Sequence, residues 1–533
     1  MLKRPLSPGP LPAAKRIHVS QARSRASLPE PTFDTLLYDE LILHIFSYLP
    51  YTDLCSIQAT NRNWARLALD NQLWKSLYLG EFGRARLRGG RGFAGRTDGR
   101  EVRKLPGRHV KAASSEDLKD WKWMFRISSN WRTGRCHVSQ LRAQDEPDDD
   151  PQLNGQEREL SGRTHMILSG THTIFASSQP SHSPTITLLT PSGQVQTIHS
   201  PPARPQPHPV QITALAVDQS PPDALSSVTR LAVCFSNGEF AVHTLSARTH
   251  SYTPALRTAR TAPIEQAAYH HPLLLTLSQS FALSVYELTD NGGVHLAHIL
   301  TSFTSFPPAS LVLTTPEPQL YKAVLTYASP VYPKHWSIGV TEVLLSAAPP
   351  EPAGAASIRL LSTRSTRAFD VPPGFVDAAK LRGVREQWGR KVGGVAAAQT
   401  DGRWVVLAPA AASTLFSSAA PSSTFANLAP TSVPLQLYRL SFPPLPAPPK
   451  LVFVRSLHGQ TGAVAALALA DGRCVSLGVD GRIWVWDLEG GAGAEVAQGE
   501  MGADAFAKGS VVFDDRRIVS AGARGVVVRN FDV

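Results

Sequence analysis

No stretch of this sequence approaches the roughly twenty consecutive apolar residues that a membrane-crossing helix requires. The basic opening, MLKRPLSPGPLPAAKR, lacks an apolar h-region and so does not read as a secretory leader. Cysteine is scarce: four in 533 residues, at positions 55, 136, 234 and 474. Their wide spacing excludes a metal knuckle and a disulfide framework, and a reducing compartment, cytosol or nucleus, is the expected setting. Paired carboxylates, a glycine loop that could cradle phosphate and a Cys/His constellation are all missing. Ser476, the serine in the best-formed motif, has no nucleophile-elbow sequence around it. The chain is therefore not expected to be an enzyme, and no cofactor and no metal is expected.

Basic charge is plentiful but unevenly placed. The whole chain carries a formal +11, while residues 1–30 carry six Lys/Arg against one acid and residues 84–111 carry ten against two. Those two segments hold more than the entire excess, so the remainder is slightly acidic. Basicity thus belongs to a tail and a linker, and sequence-independent binding of a phosphate backbone is the lesser reading of it. Lys3-Arg4 and Lys15-Arg16 are spaced like a weak bipartite nuclear-import signal, equally readable as a solvated tail.

Residues 1–32, rich in Pro, Ser, Ala and Arg, have too few large apolar groups to offset the entropy of ordering and are expected to be disordered. From Phe33 the pattern changes. Leu37, Leu41, Ile42, Ile45, Phe46 and Leu49 recur at helical spacing, with Asp39 and Glu40 in the first turn and Pro50 as the stop. Thr52 can cap a second helix carrying Leu54 and Ile57. A third carries Trp64 and Leu67, and a fourth starts near Asn71 with Leu73, Trp74, Leu77 and Tyr78. Helices this short are unstable alone, so they must share a core or borrow one from a partner.

An Arg/Gly-rich linker, 81–113, leads to a helical junction at 114–135 that ends in Asn130, Trp131, Arg132 and Gly134. Beyond it the period becomes that of strands. Twenty-odd short apolar or alternating runs follow one another, separated by turn residues and with no long helix between them, which argues a closed or radial all-β architecture over 136–533. Acidic and Ala/Ser/Pro-rich stretches near 143–157 and 408–435 read as disordered insertions.

Two segments carry a family resemblance. Residues 33–79 resemble an F-box: its features fall on Leu37, Glu40, Leu41, Ile45, Phe46, Tyr48, Leu49, Asp53, Leu54, Trp64, Leu73, Trp74 and Lys75, with Tyr38 where the family usually has proline. Residues 456–488 resemble a WD repeat, from Leu457-His458-Gly459 to Trp486-Asp487. The junction is similar to the one between F-box and propeller in F-box/WD proteins. The resemblance implies a multidomain chain, a small all-α F-box and helical linker followed by an all-β WD-repeat propeller of seven blades, closed by an N-terminal strand near Cys136–Leu141. It implies a hydrogen-bonded chain of Trp486, Ser476, His458 and Asp480, structural in role.

For function, the resemblance implies the substrate-recognition subunit of an SCF-type ubiquitin ligase. The F-box residues Leu37, Leu41, Ile42, Ile45, Leu49, Leu54, Trp64, Leu73 and Trp74 would dock a Skp-type adaptor and through it a cullin, and the propeller face would hold a protein substrate, phosphorylated in some members of the family. The other readings are a scaffold working outside a ligase and an RNA-associated factor using the Arg/Gly linker.

Overall fold

The computed structural model describes residues 36–83, 120–141, 163–170, 172–190, 194–200, 208–220, 228–246, 254–255, 262–289, 293–302, 304–347, 358–371, 374, 377–410, 434–444, 447–460, 462–496, 509–522 and 525–533. The basic tail, most of the Arg/Gly linker, the acidic insertion and most of the Ala/Ser/Pro-rich one lie outside the described residues. The chain divides into two compact units, Met1–Leu77 and Tyr78–Val533.

The first unit is helical. Helices α1 (Asp39–Phe46), α2 (Tyr51–Ile57), α3 (Arg62–Ala68) and α4 (Asn71–Tyr78) follow one another with short turns. Asn61 caps α3, its Oδ1 accepting from Trp64 N–H at 2.8 Å, and Asp70 serves the start of α4, its Oδ1 accepting from Gln72 N–H at 2.8 Å. The second helix begins two residues earlier than the Thr52 cap implied, because Pro50, extended at ψ 157, already presets the turn. Ile42, Phe46, Leu54, Leu67, Ala68, Leu73 and Trp74 are buried, and the Trp74 indole donates to Ala68 O at 2.8 Å.

The second unit is a seven-bladed β-propeller preceded by a helix. Blade one holds β2 (Thr164–Ser169), β3 (His172–Ser177), β4 (Thr185–Leu189) and β5 (Val195–His199); blade two holds β6 (Ile212–Val217), β7 (Val228–Phe235), β8 (Phe240–Ser246) and β9 (Pro254–Ala255). Blade three holds β10 (Ile264–His270), β11 (Leu273–Ser278), β12 (Ala282–Leu288) and β13 (Val294–Thr301). The longest strands are in blade four: β14 (Phe306–Glu317), β15 (Leu320–Val331), β16 (His335–Ala347) and β17 (Ile358–Arg367). Blade five holds β18 (Val395–Thr400), β19 (Trp404–Pro409), β20 (Leu435–Ser441) and β21 (Lys450–Leu457); blade six holds β22 (Val464–Ala470), β23 (Arg473–Gly478), β24 (Ile483–Asp487) and β25 (Gly493–Val496).

The seventh blade closes the ring with strands from both ends of the propeller. Its β26 (Ser510–Phe513), β27 (Arg517–Gly522) and β28 (Gly525–Asn530) are C-terminal, and its outer strand β1 (His137–Leu141) comes from the junction, pairing antiparallel from His137↔Asn530 to Leu141↔Val526. This is the closing strand expected near Cys136–Leu141. It covers the edge of β28, which would otherwise stand open as a template for aberrant pairing. The innermost strands contact their neighbours all round the ring, β26 against β2 included.

The core lies between blades. Ile174, Ile186, Ile212, Leu231 and Phe235 pack blade one on blade two, and Leu275, Leu283, Leu311, Leu313 and Tyr327 pack blade three on blade four. Polar clamps join adjacent blades at the β-hairpin turns of one face. Asp218 Oδ1 accepts from His271 N–H at 2.9 Å, and Asp401 accepts from its own turn at Arg403 and Trp404 and from Gly472 of the next blade. Burial pushes the Asp401 carboxyl above its usual range, opposed by those three N–H groups and by the Arg403 charge.

One element was absent from the sequence expectations. Helix α6 (Ala378–Gly389) lies in the connection between β17 and β18.

Candidate functional site

The F-box segment carries two apolar stripes on one helix. Ile42 and Phe46, one turn apart, point inward, and Phe46 meets Trp64 edge-to-face at 5.7 Å. One position earlier on each turn is a second stripe at i, i+3, i+7 and i+10: Tyr38, Leu41, Ile45 and Tyr48, exposed to 79%, 49%, 43% and 75%. Leu36, Tyr51 and Leu69 are exposed as well. Four large apolar groups in one row is a contiguous patch of the kind that marks a protein interaction surface.

Of the nine docking candidates, Leu41 and Ile45 are exposed, while Leu37, Leu49 and Trp64 are half-buried. Ile42, Leu54, Leu73 and Trp74 are buried by the chain itself and hold the bundle together. In the sequence, spacing reveals an apolar stripe without saying which of two adjacent stripes faces inward. The outward row includes Tyr38 and Tyr48, which the docking set omitted. Tyr38 occupies the N-cap position of α1 with extended backbone (ψ 154) and no side-chain cap bond, and its carbonyl accepts from Leu41 and Ile42 N–H. An ion pair of Asp39 with Arg66 ties α1 to α3; both side chains are about half exposed, so it contributes little.

The junction is helix α5 (Trp121–Thr133), capped by Asp120, whose Oδ1 accepts from Trp123 N–H at 2.9 Å. All three junction candidates make contacts. Asn130 Nδ2 donates to Phe531 O at 2.9 Å. The Trp131 ring stacks on Phe531 at 4.0 Å, its Nε1 donates to Asp515 O at 2.8 Å, and Arg473 lies 4.7 Å over it. Arg132 pairs with Glu81 at 2.6 Å and lies over the Phe82 ring. Glu81 and Phe82, expected in the linker, form part of a π-helical turn at Leu79–Gly83. Gly134 ends α5 in the left-handed region (φ 72), and a Cβ there would strike Glu495 O at 2.1 Å, so only glycine serves at this position. Trp123 and Arg126 both donate to Asp532, so the helix grips the C-terminal strand end with four side chains.

The WD-like repeat does not form the expected side-chain relay of Trp486, Ser476, His458 and Asp480, and each of these residues has a different partner. Ser476 Oγ donates to Gln460 Oε1 at 2.5 Å, and not to His458. The His458 side chain is exposed, and only its carbonyl takes part, accepting from Trp486 Nε1 at 3.4 Å. The physical reason is register: β21 ends at Leu457, and two further residues are needed before the chain turns a side chain in under Ser476. Asp480 accepts from Arg482 N–H at 3.1 Å, closing its own turn. Arg482 itself is occupied, reaching Asp480 at 3.5 Å and Glu495 at 3.7 Å.

Chemistry finds little to use here. Among the described residues no group of three or more His, Cys, Asp or Glu could hold a metal ion, and no helix is long and apolar enough to cross a membrane. Buried titratable groups sit in structural positions. Burial lowers His243, bonded to Ser200 at 2.9 Å, to about 4, and raises the Cys234 thiol to about 12.

A short exposed-striped helical bundle followed by a seven-bladed propeller defines a two-module architecture, and comparison with known families agrees. Residues 39–80 match the F-box-like family and residues 192–370 match the F-box protein pof12 beta-propeller family. Together the two matches are those of an F-box/β-propeller protein. F-box domains generally bind Skp-type adaptors, and proteins of this architecture are generally non-catalytic. No curated protein matches the chain. Among solved structures, the computationally designed Ika8 protein is 13% identical, covering 69% of this chain and 96% of its own, with a TM-score of 0.35. Saccharomyces cerevisiae Sqt1 is 8% identical over 69% of this chain and 95% of its own, with a TM-score of 0.39.

Proposed function

We propose that this protein is the substrate-recognition subunit of an SCF-type ubiquitin ligase. The exposed row Tyr38, Leu41, Ile45 and Tyr48, along α1 and its two ends, carries the reading, because it is apolar surface that the chain leaves in water beside a core the same helix has already filled. A Skp-type adaptor covers that row and links it to a cullin. The propeller holds a protein substrate near a ubiquitin-charged conjugating enzyme. The rate gain comes from effective concentration, and the chain supplies no catalytic group.

The test is reconstitution. The purified full chain, mixed with a Skp-type adaptor and a cullin, is expected to elute from gel filtration as one complex containing all three. Elution of the chain apart from the adaptor refutes the proposal, and elution with the adaptor but without the cullin favours a scaffold role outside a ligase.

A further inference from the structure

Helix α6 is built as a surface waiting for a cover. Asp377 caps it, with Oδ1 accepting from Lys380 N–H at 2.7 Å, and Leu381, Val384 and Trp388 form a stripe at i, i+3 and i+7. Yet none of its residues is buried. The stripe is anchored at its C-terminal end only. There Trp388 meets Phe369 at 5.7 Å and His335 at 6.2 Å, under Lys391 at 4.2 Å, while Leu381 stands 42% exposed. A helix of twelve residues draws most of its stability from a packed apolar face, and this one has little of that packing. It also carries Gly383, a poor helix former, although a Cβ there would meet nothing within 4 Å.

Its place on the propeller is defined by strand alternation. Connections from an outer strand to the next inner strand emerge on the same face as the hairpins joining the second and third strands of each blade. Helix α6 therefore shares a face with the β15–β16 hairpin, whose tip carries Tyr332 at 89% exposure. The two are fastened together: Trp336 N–H donates to Val392 O at 2.8 Å and Val392 N–H to Trp336 O at 3.0 Å. Helix α5 packs on the opposite face, against the turn at Asp515 and the start of β23.

Charge then narrows the partner. Lys380, Arg382 and Arg385 are exposed on α6, with Lys334 in the hairpin tip beside Tyr332. The helix's acid, Glu386, is already paired with Arg390 at 3.6 Å, and Asp377 is spent on the cap. Cations that flank uncovered apolar side chains suit a partner bringing both acidic and apolar groups. A phosphate backbone would use the cations and leave Leu381 and Tyr332 without a role.

We propose that α6 and the Tyr332 hairpin tip form the substrate dock of the propeller, taking a short protein segment in which acidic and apolar side chains alternate at helical spacing. The inference rests on the receptor reading above and names the site and the substrate class. Part of the binding energy goes into firming up α6, so its residue propensities tune affinity without touching the partner.

The test uses the full chain without adaptor and fluorescein-labelled peptides of about sixteen residues, rich in Asp and Glu with Leu at i, i+3 and i+7 spacings. Saturable binding is expected. Arg382→Glu with Arg385→Glu should weaken it by roughly tenfold or more, with a steep salt dependence in the wild type. Gly383→Ala should tighten it by up to about fivefold, since it adds helix stability but no contact. Arg359→Glu on β17 should change nothing. The proposal is overturned if no peptide of the set binds the wild type, if serine-for-leucine peptides bind equally well, or if the charge-reversed chain binds as tightly. A single-stranded RNA that loses affinity on the same reversal, and that the peptides fail to displace, also overturns it. Adaptor co-elution of the same variants reads the F-box separately, so failure of the dock and failure of the receptor reading give different results.

Discussion

Replacing Leu41 and Ile45 with aspartate separates docking from folding, because the two side chains are about half exposed while their neighbour Ile42 is fully buried. Fully burying a leucine or isoleucine contributes about 1.5–3 kcal/mol, so covering what remains exposed of each gains about 1 kcal/mol. Aspartate at both positions removes that gain. It also obliges the adaptor to bury two carboxylates without partners, at a cost of several kcal/mol before relaxation. A combined loss of at least about 4 kcal/mol corresponds to a weakening of Kd by about a thousandfold. Folding should hardly change, since substitutions at exposed positions cost within about 0.5 kcal/mol. Calorimetric titration of a Skp-type adaptor into each chain measures the first effect, and thermal melting followed by circular dichroism measures the second. A Kd within about fivefold of wild type would refute the reasoning, as would a loss of binding that tracks a loss of helicity. Ile42→Asp is the contrasting case: it should melt the bundle.

Gln460→Ala strands the Ser476 hydroxyl and should destabilise the propeller by about 1–3 kcal/mol in denaturant unfolding, whereas His458→Ala, which alters an exposed side chain, should be near neutral. Trp131→Ala removes a stacked, hydrogen-bonded ring and should cost about 3–5 kcal/mol, lowering the propeller's melting temperature and exposing β1 to protease. His243 is buried neutral with its pKa lowered from 6.5 to about 4, so the unfolded chain binds a proton the folded one refuses. Its contribution is full above about pH 6.5 and is lost as the pH falls towards 4, by about 3 kcal/mol in all. His243→Gln should flatten that part of the stability–pH curve, and an unchanged slope contradicts the assignment.

Much of this architecture was legible because local signals agreed with the global fold. Pro50 punctuates helices whose apolar residues recur at 3.6-residue spacing, and alternating runs with turn residues spell out the blades. The closing strand was legible through the family resemblance, which implied an N-terminal strand near Cys136–Leu141. What escaped were choices that depend on neighbours. Adjacent stripes on α1 look alike in sequence, and only packing assigns Ile42 inward and Leu41 outward. The chain from Ser476 runs to Gln460 because the residues after β21 turn in two positions later than the motif suggested. Helix α6 was missed although its signal was present: Asp377 as cap, then Leu381, Val384 and Trp388 at helical spacing. Gly383 and the surrounding strand pattern obscured it.

The account turns on whether the row along α1 is bare in the free chain and covered in the complex. Hydroxyl-radical footprinting of the full chain, alone and with a Skp-type adaptor, measures this side chain by side chain. Tyr38, Leu41, Ile45 and Tyr48 should oxidise readily in the free chain and be protected in the mixture, with Ile42 and Phe46 protected in both. Oxidation of the row that is low in the free chain, or equally high with and without the adaptor, contradicts the account.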